Sequence, residues 1–200
     1  MPSITERKEF IRPTQLIVEL DRIAENYRLI SEYCQSKVMA VIKANAYGHG
    51  IIETAKCLEA EGADYFGVAV LEEGVLLREE GITTPILVFG GILFEQVDEF
   101  IENELTITAS SIDKLLAIEA TAQKMQRKAK VHLKIDTGMG RIGVQPRSAK
   151  VFFEAALSCE WIEVEGIYSH FANADSVDLV YSKKQWSRFQ EVLETAKKIG

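Results

Sequence analysis

Short apolar runs alternate with longer amphipathic stretches along the sequence. The runs are rich in Val and Ile and apolar on both alternating faces, which is typical of strands covered on both sides. We predict seven such strands: Gln15–Glu19, Val38–Ile42, Tyr65–Val70, Ile86–Phe89, Leu105–Thr108, Val131–Ile135 and Ile162–Tyr168. The stretches between them carry apolar residues at helical spacing. These include Ile23, Tyr27 and Ile30, and later Trp186, Phe189, Leu193 and Ala196. The alternation predicts a parallel sheet with right-handed helical crossovers.

Two architectures fit this alternation. A closed (β/α)₈ TIM-type barrel typically takes about 250 residues. Seven βα units in 200 residues would leave such a barrel one strand short of closure. A doubly wound open sheet is the competing fold, and periodicity alone does not separate the two. No low-complexity linker divides the chain, so we expect residues 1–200 to form one domain.

Composition and charge argue against several classes of protein. The net charge of −7 is unlike the basic face of a general nucleic-acid binder. No apolar run reaches the roughly 18 residues of a membrane span, and the polar N-terminus lacks the apolar segment of a secretion signal. Cys34, Cys57 and Cys159 are far apart and form no C-x-x-C pair, which argues against a disulfide framework or a zinc site. We therefore expect a cytoplasmic protein with reduced thiols.

Lys43 stands at the carboxyl end of the second predicted strand. It opens the segment Lys-Ala-Asn-Ala-Tyr-Gly-His-Gly, residues 43–50. Parallel α/β folds keep their active sites at this end of the strands, and apolar surroundings should lower the pKa of the amine. Such a lysine can form a Schiff base with a carbonyl compound. An ordinary lysine that reaches water from a strand end fits the same position.

Lys134 lies inside the sixth predicted strand, where a buried ammonium without a partner is costly. The strand and its loop read Val-His-Leu-Lys-Ile-Asp-Thr-Gly-Met-Gly-Arg-Ile-Gly, residues 131–143. This lysine must reach water, pair with an acid, lose its proton or be modified. A neutral amine can take up carbon dioxide as a carbamate, and that anion could pair with the guanidinium of Arg141.

Two short patterns in the same segment mimic other sites. The glycines at 138, 140 and 143 resemble a dinucleotide-binding fingerprint. That fingerprint should open a helix after the first strand, whereas these glycines follow the sixth strand and precede Pro146. The triplet Asp-Thr-Gly at 136–138 resembles an aspartic protease loop, but those enzymes need two such carboxylates in one site. The chain has one copy of the triplet, so we discard both interpretations.

His170 follows the seventh predicted strand, in the segment Tyr-Ser-His-Phe-Ala-Asn-Ala-Asp, residues 168–175. A lone histidine at a strand end is commonly structural. In a barrel, however, the carboxyl ends of all strands lie on one rim. That arrangement would bring Lys43, Arg141 and His170 together, so the three side chains are candidate site residues.

These three segments resemble the alanine racemase family of pyridoxal-phosphate-dependent enzymes, and the resemblance covers nearly the whole chain. It implies the N-terminal barrel of that family. It also implies that Lys43 binds pyridoxal phosphate covalently and acts as a base, and that Tyr47 contacts the phosphate. Arg141 would bind the phenolic oxygen of the cofactor and the substrate carboxylate, and His170 would lie beside the cofactor ring.

The same resemblance gives Lys134 a role. In many members of the family this lysine is carbamylated and orients the arginine, so we expect N6-carboxylysine at Lys134. An unmodified, ion-paired Lys134 is the alternative. The resemblance implies no metal ion.

The function implied by the resemblance is the interconversion of L-alanine and D-alanine by two-base α-proton transfer, which supplies D-alanine for cell-wall precursors. Members continue with an eighth strand, a phosphate-binding loop and a C-terminal β-domain, which supplies a catalytic tyrosine across a homodimer interface. These parts do not occur in the 200 residues. The alternatives are a serine or broad-specificity racemase of the same fold, and a non-catalytic pyridoxal-phosphate carrier.

Overall fold

A computed structural model of the chain describes residues 16–200. Its helices are α1 (Leu20–Cys34), α2 (Lys43–Tyr47), α3 (Ile51–Ala60), α4 (Leu71–Glu79), α5 (Val97–Glu102), α6 (Ile112–Met125), α7 (Ala149–Leu157) and α8 (Val180–Ile199). Its strands are β1 (Met39–Val41), β2 (Tyr65–Val68), β3 (Ile86–Val88), β4 (Thr106–Ala109), β5 (Ala129–Lys134) and β6 (Ile162–Tyr168). Short 3₁₀ turns at Phe94–Gln96 and Pro146–Ser148 precede α5 and α7.

All strands belong to one sheet, and every neighbouring pair is parallel. Their order in the sheet is β1-β2-β3-β4-β5-β6, which is also their order in the chain. A doubly wound sheet reverses its strand order at a switch point, whereas a barrel wall does not. The structure is therefore a partial TIM-type barrel, and the predicted fold class is confirmed.

The number of strands differs from the prediction. The structure has six strands within residues 16–200, where the sequence predicted seven along the chain. Gln15 of the first predicted strand lies outside the described residues. Residues 16–19 form no strand, and the side chains of Leu16 and Ile17 are exposed. Their apolar pattern favours a strand, but none of the described strands pairs with them. A barrel of eight strands would need two more strands than these six, not one.

The face of the sheet toward the helices forms the apolar core. Phe66, Ile107 and Val131, on strands β2, β4 and β5, are fully buried. They belong to one continuous cluster with buried residues of helices α3 to α7. The sequence predicted apolar residues on both faces of the strands. That prediction is correct for this face only, because the residues that alternate with these are largely polar or aromatic.

A polar layer crosses the opposite face, which is the interior of the barrel. The carboxylate of Glu165 accepts hydrogen bonds from the hydroxyls of Tyr65 at 2.9 Å and Thr106 at 3.0 Å. It also forms an ion pair with Lys130 at 3.0 Å. A β-bulge in β6 admits Glu165 to this layer, because the pairing register with β5 skips this residue. Burial raises the pKa of Glu165, but the hydrogen bonds and the lysine lower it more, so the carboxylate stays ionised.

The part of the chain that the structure describes has no membrane-spanning helix, no metal-binding cluster and no disulfide bond. No helix there is long and apolar enough to cross a membrane. No group of three or more His, Cys, Asp or Glu side chains is placed to hold a metal ion. Cys34, Cys57 and Cys159 are all free thiols.

Candidate active site

The short element α2, which follows strand β1 and begins at Lys43, is a single left-handed turn with an unusual backbone. The four residues that follow Lys43, residues 44–47, have φ angles of 53° or 54° and so lie in the left-handed region. None of them is glycine, and a left-handed conformation costs roughly 1–2 kcal/mol for each such residue. The turn therefore stores about 4–8 kcal/mol of backbone strain. Strain of this kind persists only where neighbouring groups hold the backbone, and it clusters at functional sites.

Two side chains, one from α4 and one from the turn itself, connect this turn to neighbouring elements. Glu73, in the first turn of α4, accepts hydrogen bonds from the backbone N–H groups of Ala44 at 2.6 Å and Asn45 at 3.4 Å. Its other oxygen accepts the N–H of Ala69 at 2.8 Å. The side-chain oxygen of Asn45 accepts the N–H of Ile51 at 2.9 Å, which caps the start of α3. The turn is thus fastened both to α4 and to α3.

Lys134 is buried at the last position of β5, with 4% of its surface exposed. No carboxylate within residues 16–200 lies at ion-pair distance from it, so the ion-paired alternative has no acidic partner in this part of the chain. Its Nζ lies 4.1 Å from the centre of the Tyr168 ring. Burial, and then the positive charge of Arg141, lower the pKa of Lys134 to about 8, against the opposing charge of Asp136.

Tyr168 is fixed by a chain of hydrogen bonds. The hydroxyl of Thr108 donates to the carbonyl of Val88 at 2.6 Å. Its oxygen is 2.8 Å from the hydroxyl of Tyr168, which is therefore the donor in that pair. The ring of Phe89 lies 6.0 Å away. Burial raises the pKa of Tyr168 to about 12, so its ring presents a neutral face to the lysine amine.

The loop after β5 is closed by Asp136. Its carboxylate accepts the backbone N–H groups of Gly138 at 2.9 Å and Gly140 at 3.0 Å. Burial raises the pKa of Asp136, but these N–H groups outweigh burial and lower it. Gly143 has a φ of 120°, and a Cβ there would lie 2.9 Å from the Asp136 nitrogen. The glycines serve this closed loop and do not open a helix, since α7 begins only at Ala149.

Gln185 of α8 joins the loops that follow β5 and β6. It is 1% exposed, and its oxygen accepts the N–H of Ala172 at 2.9 Å. Its amide nitrogen donates to the carbonyl of His170 at 3.0 Å and to the hydroxyl of Thr137 at 3.3 Å. The fully bonded amide therefore fixes the backbone on which His170 stands.

Three positively charged side chains lie near enough to His170 to lower its pKa. Partial burial lowers the pKa of His170, and the charges of Lys134, Arg141 and Lys43 lower it further. The structure thus groups these four residues at the carboxyl ends of β1, β5 and β6. Arg141 is exposed and makes no hydrogen bond or ion pair with any residue between 16 and 200. The group has an excess of positive charge and is suited to an anionic ligand.

Tyr47 lies at the end of the left-handed turn, and its side chain is 61% exposed. The structure shows no contact between Tyr47 and the group around His170. His49 is bonded through Nδ1 to the carbonyl of Ala46 at 2.6 Å. That bond gives His49 a structural part in the turn.

The family model for the N-terminal domain of alanine racemase matches residues 18–200. The chain belongs to the alanine racemase family. It is 43% identical over 193 residues to alanine racemase 2 of Caldanaerobacter subterraneus subsp. tengcongensis, and the match covers 95% of this chain and 50% of the relative. It is 40% identical over 194 residues to alanine racemase of Halothermothrix orenii, with coverage of 96% and 51%.

Solved structures of alanine racemases share this fold. The alanine racemase of Clostridium difficile 630 superposes with a TM-score of 0.88 at 37% identity, and the match covers 94% of this chain and 51% of that one. The chain thus spans about half the length of the alanine racemases that it matches.

The residues present fit the phosphorylated cofactor that the resemblance to alanine racemases implies. Lys43 and Arg141 both act on His170 as positive charges, and such a pair complements a phosphate and a carboxylate. The guanidinium of Arg141 forms no hydrogen bond or ion pair within residues 16–200. The carboxylate of Asp136 accepts hydrogen bonds from the N–H groups of its own loop. The rim therefore retains uncompensated positive charge for an anionic ligand.

Three residues that support this candidate site were missed in the sequence. Gln185 lies on the same face of α8 as Phe189 and Val192, at i, i+4 and i+7 spacing. A polar residue on that apolar face could have been recognised in the sequence as a candidate buried hydrogen-bonding group. Glu73 and Tyr168 gave no comparable signal. Acidic residues are common in the first turn of any helix, and a tyrosine is ordinary at the end of a strand.

Proposed function

We propose that this chain is the barrel domain, residues 1–200, of a pyridoxal-phosphate-dependent racemase that interconverts L-alanine and D-alanine. The observation that carries the proposal is the grouping of Lys43, Lys134 and Arg141 around His170 at the carboxyl ends of the strands. Family membership supports the same function. We further propose that the reaction supplies D-alanine for cell-wall precursors.

Lys43 is the residue that holds the cofactor and moves a proton. When bound, pyridoxal phosphate supplies an electron sink that acidifies the α-hydrogen of the amino acid. The ε-amine of Lys43 would hold the cofactor covalently. As a free amine in the presence of substrate, Lys43 would remove or return the α-proton on the face of the D-enantiomer. The strained turn behind Lys43 restricts its backbone and so limits the directions from which the amine can act.

Arg141, Tyr47 and His170 bind and orient. The guanidinium of Arg141 binds the substrate carboxylate and the phenolic oxygen of the cofactor, a use that its planar set of donors suits. The hydroxyl of Tyr47 would contact the phosphate. His170 would lie beside the cofactor ring, and its lowered pKa favours the neutral imidazole near neutral pH.

Lys134 positions Arg141 as a carbamate. A lysine with a pKa of about 8 is partly neutral near neutral pH, and the neutral amine is the form that adds carbon dioxide. The product replaces a cation beside Arg141 by an anion, which turns repulsion into attraction. A Lys134→Ala enzyme should therefore lose activity and regain part of it when a small carboxylic acid is added.

The second base lies outside these residues. Racemisation needs a base on each face of the α-carbon, and we propose a tyrosine from a C-terminal β-domain of a partner subunit. The complete enzyme would accordingly be a homodimer, and the free thiols support a cytoplasmic location.

The test is an assay of the complete product of the gene that encodes this chain. After loading with pyridoxal phosphate, the purified protein should interconvert L- and D-alanine, and Lys43→Ala should abolish the conversion. L- and D-serine serve as the matched substrates. Comparable turnover of serine would instead favour the broad-specificity racemase. Cofactor absorbance without any turnover would favour a carrier protein, and no cofactor absorbance would refute the proposal.

A further inference from the structure

Glu73 connects the turn behind Lys43 to the next βα unit. One carboxylate oxygen accepts the N–H groups of Ala44 and Asn45, and the other accepts the N–H of Ala69. These three donors belong to the segments that follow β1 and β2. A single half-buried side chain therefore fastens two adjacent strand ends of the barrel to each other.

The turn needs such a fastening because its backbone is strained. Ala44 and Asn45 are left-handed at φ 53° and 54°, a region that residues with a Cβ adopt at a cost. Their N–H groups point to a carboxylate, and hydrogen bonds to a charged acceptor are about twice as strong as neutral ones. A relaxed, right-handed conformation would turn these N–H groups away from Glu73.

We propose that Glu73 is a positioning residue that holds the left-handed turn and thereby sets Lys43 and Tyr47, at its two ends, for binding the phosphorylated cofactor. This inference rests on the proposed function. Glu73 acts through the backbone, since none of its hydrogen bonds reaches the side chain of Lys43 or Tyr47. Its effect on the cofactor is therefore a matter of preorganisation.

The experiment compares Glu73→Gln with Glu72→Gln in the complete gene product. Both residues lie in the first turn of α4, so the two changes have similar effects on the helix dipole. Glu72 is exposed and has no hydrogen bond within the described residues, whereas Glu73→Gln removes the charge and one acceptor oxygen from the turn.

Two readouts are independent of turnover. In cofactor-free protein, amide hydrogen exchange at Ala44 and Asn45 should accelerate about tenfold in Glu73→Gln. The affinity for pyridoxal phosphate, followed by absorbance, should fall about tenfold. Glu72→Gln should change neither by more than about twofold, because exposed substitutions are usually near neutral. The free energy of unfolding of Glu73→Gln should fall by no more than the roughly 1.4 kcal/mol that a tenfold change represents.

A second variant tests whether backbone conformation is the cause. Glycine adopts positive φ without strain, so Ala44→Gly in the Glu73→Gln background should recover at least about threefold of the lost affinity. No recovery would overturn the proposal, because Glu73 would then act by another route.

The remaining outcomes separate this inference from the proposed function. Equal exchange and equal affinity in the two glutamine variants would overturn the positioning role. Faster exchange with unchanged affinity would do the same, and so would an equal acceleration at locally exchanging amides of strands and helices remote from the turn. If the unsubstituted protein binds no pyridoxal phosphate, the proposed function fails, while the exchange readout still decides whether Glu73 holds the turn.

Discussion

Replacing Lys134 by methionine should make the protein more stable, although Lys134 is a candidate site residue. Methionine keeps the unbranched apolar stem that packs in the barrel and removes the amine. A fall in the Lys134 pKa from 10.5 to about 8 corresponds to about 3 kcal/mol of unfavourable free energy for the protonated form. The contact with the Tyr168 ring returns about 1 kcal/mol. We therefore expect Lys134→Met to raise the free energy of unfolding by about 2 kcal/mol near pH 7.

The pH dependence of this gain has a defined sign. The pKa of Lys134 is lower in the folded chain than in the unfolded chain, so folding disfavours the proton. Its penalty is complete below about pH 8, shrinks between about pH 8 and 10.5, and is absent above that range. The stability difference between Lys134→Met and the unsubstituted protein should follow the same course.

The assay is chemical denaturation of both proteins in carbonate-free buffers across that pH range. Lys130→Met is the control, because Lys130 forms a partly exposed ion pair with Glu165 and its loss should lower stability by at most about 1 kcal/mol. Adding bicarbonate should stabilise only proteins that retain Lys134, since a carbamate removes the buried cation. A Lys134→Met difference that is absent at neutral pH, or constant with pH, would refute this reasoning.

Three further predictions concern the rim of the site. Gln185→Leu should lower the free energy of unfolding by about 1–2 kcal/mol, because it removes the hydrogen-bond partner of the Ala172 N–H and of the His170 carbonyl; exposed Gln190→Leu is the control, and an equal loss in both variants would contradict this prediction. NMR titration should place the His170 pKa below 6.5, and Lys134→Met should raise it; an unchanged pKa in Lys134→Met would show that the charge of Lys134 does not act on His170. Residues 1–200 alone should not convert L- to D-alanine, since within residues 16–200 no strand pairs with the outer edge of β1 or of β6; full turnover would refute this.

Residues with a strong local signature were predictable from the sequence. Lys43 stood at the end of a Val- and Ile-rich strand, and Lys134 was a charge in a strand that should be buried. The structure confirms the burial of Lys134 and places both lysines near His170. The first predicted strand, at residues 15–19, had only its own apolar pattern in its favour. A strand also needs a pairing partner, which local patterns do not specify.

The left-handed turn and its supports were not predictable for a different reason. The identities of Ala44 and Asn45 do not by themselves predict positive φ angles, whereas a glycine at either position would have indicated one. Their conformation depends on Glu73, which is 29 and 28 positions away in the chain. Gln185 likewise contacts Thr137 from 48 positions away. Contacts of this kind follow from the order of the strands in the sheet and not from local propensity.

The central claim, that Lys43 holds the cofactor, is tested most directly by trapping. The complete gene product is loaded with pyridoxal phosphate, reduced with borohydride, digested and analysed by mass spectrometry. We expect one dominant adduct on Lys43, which Lys43→Ala abolishes and Lys134→Met leaves in place. A reduced adduct that persists in Lys43→Ala, or one that resides mainly on another lysine, would contradict the account.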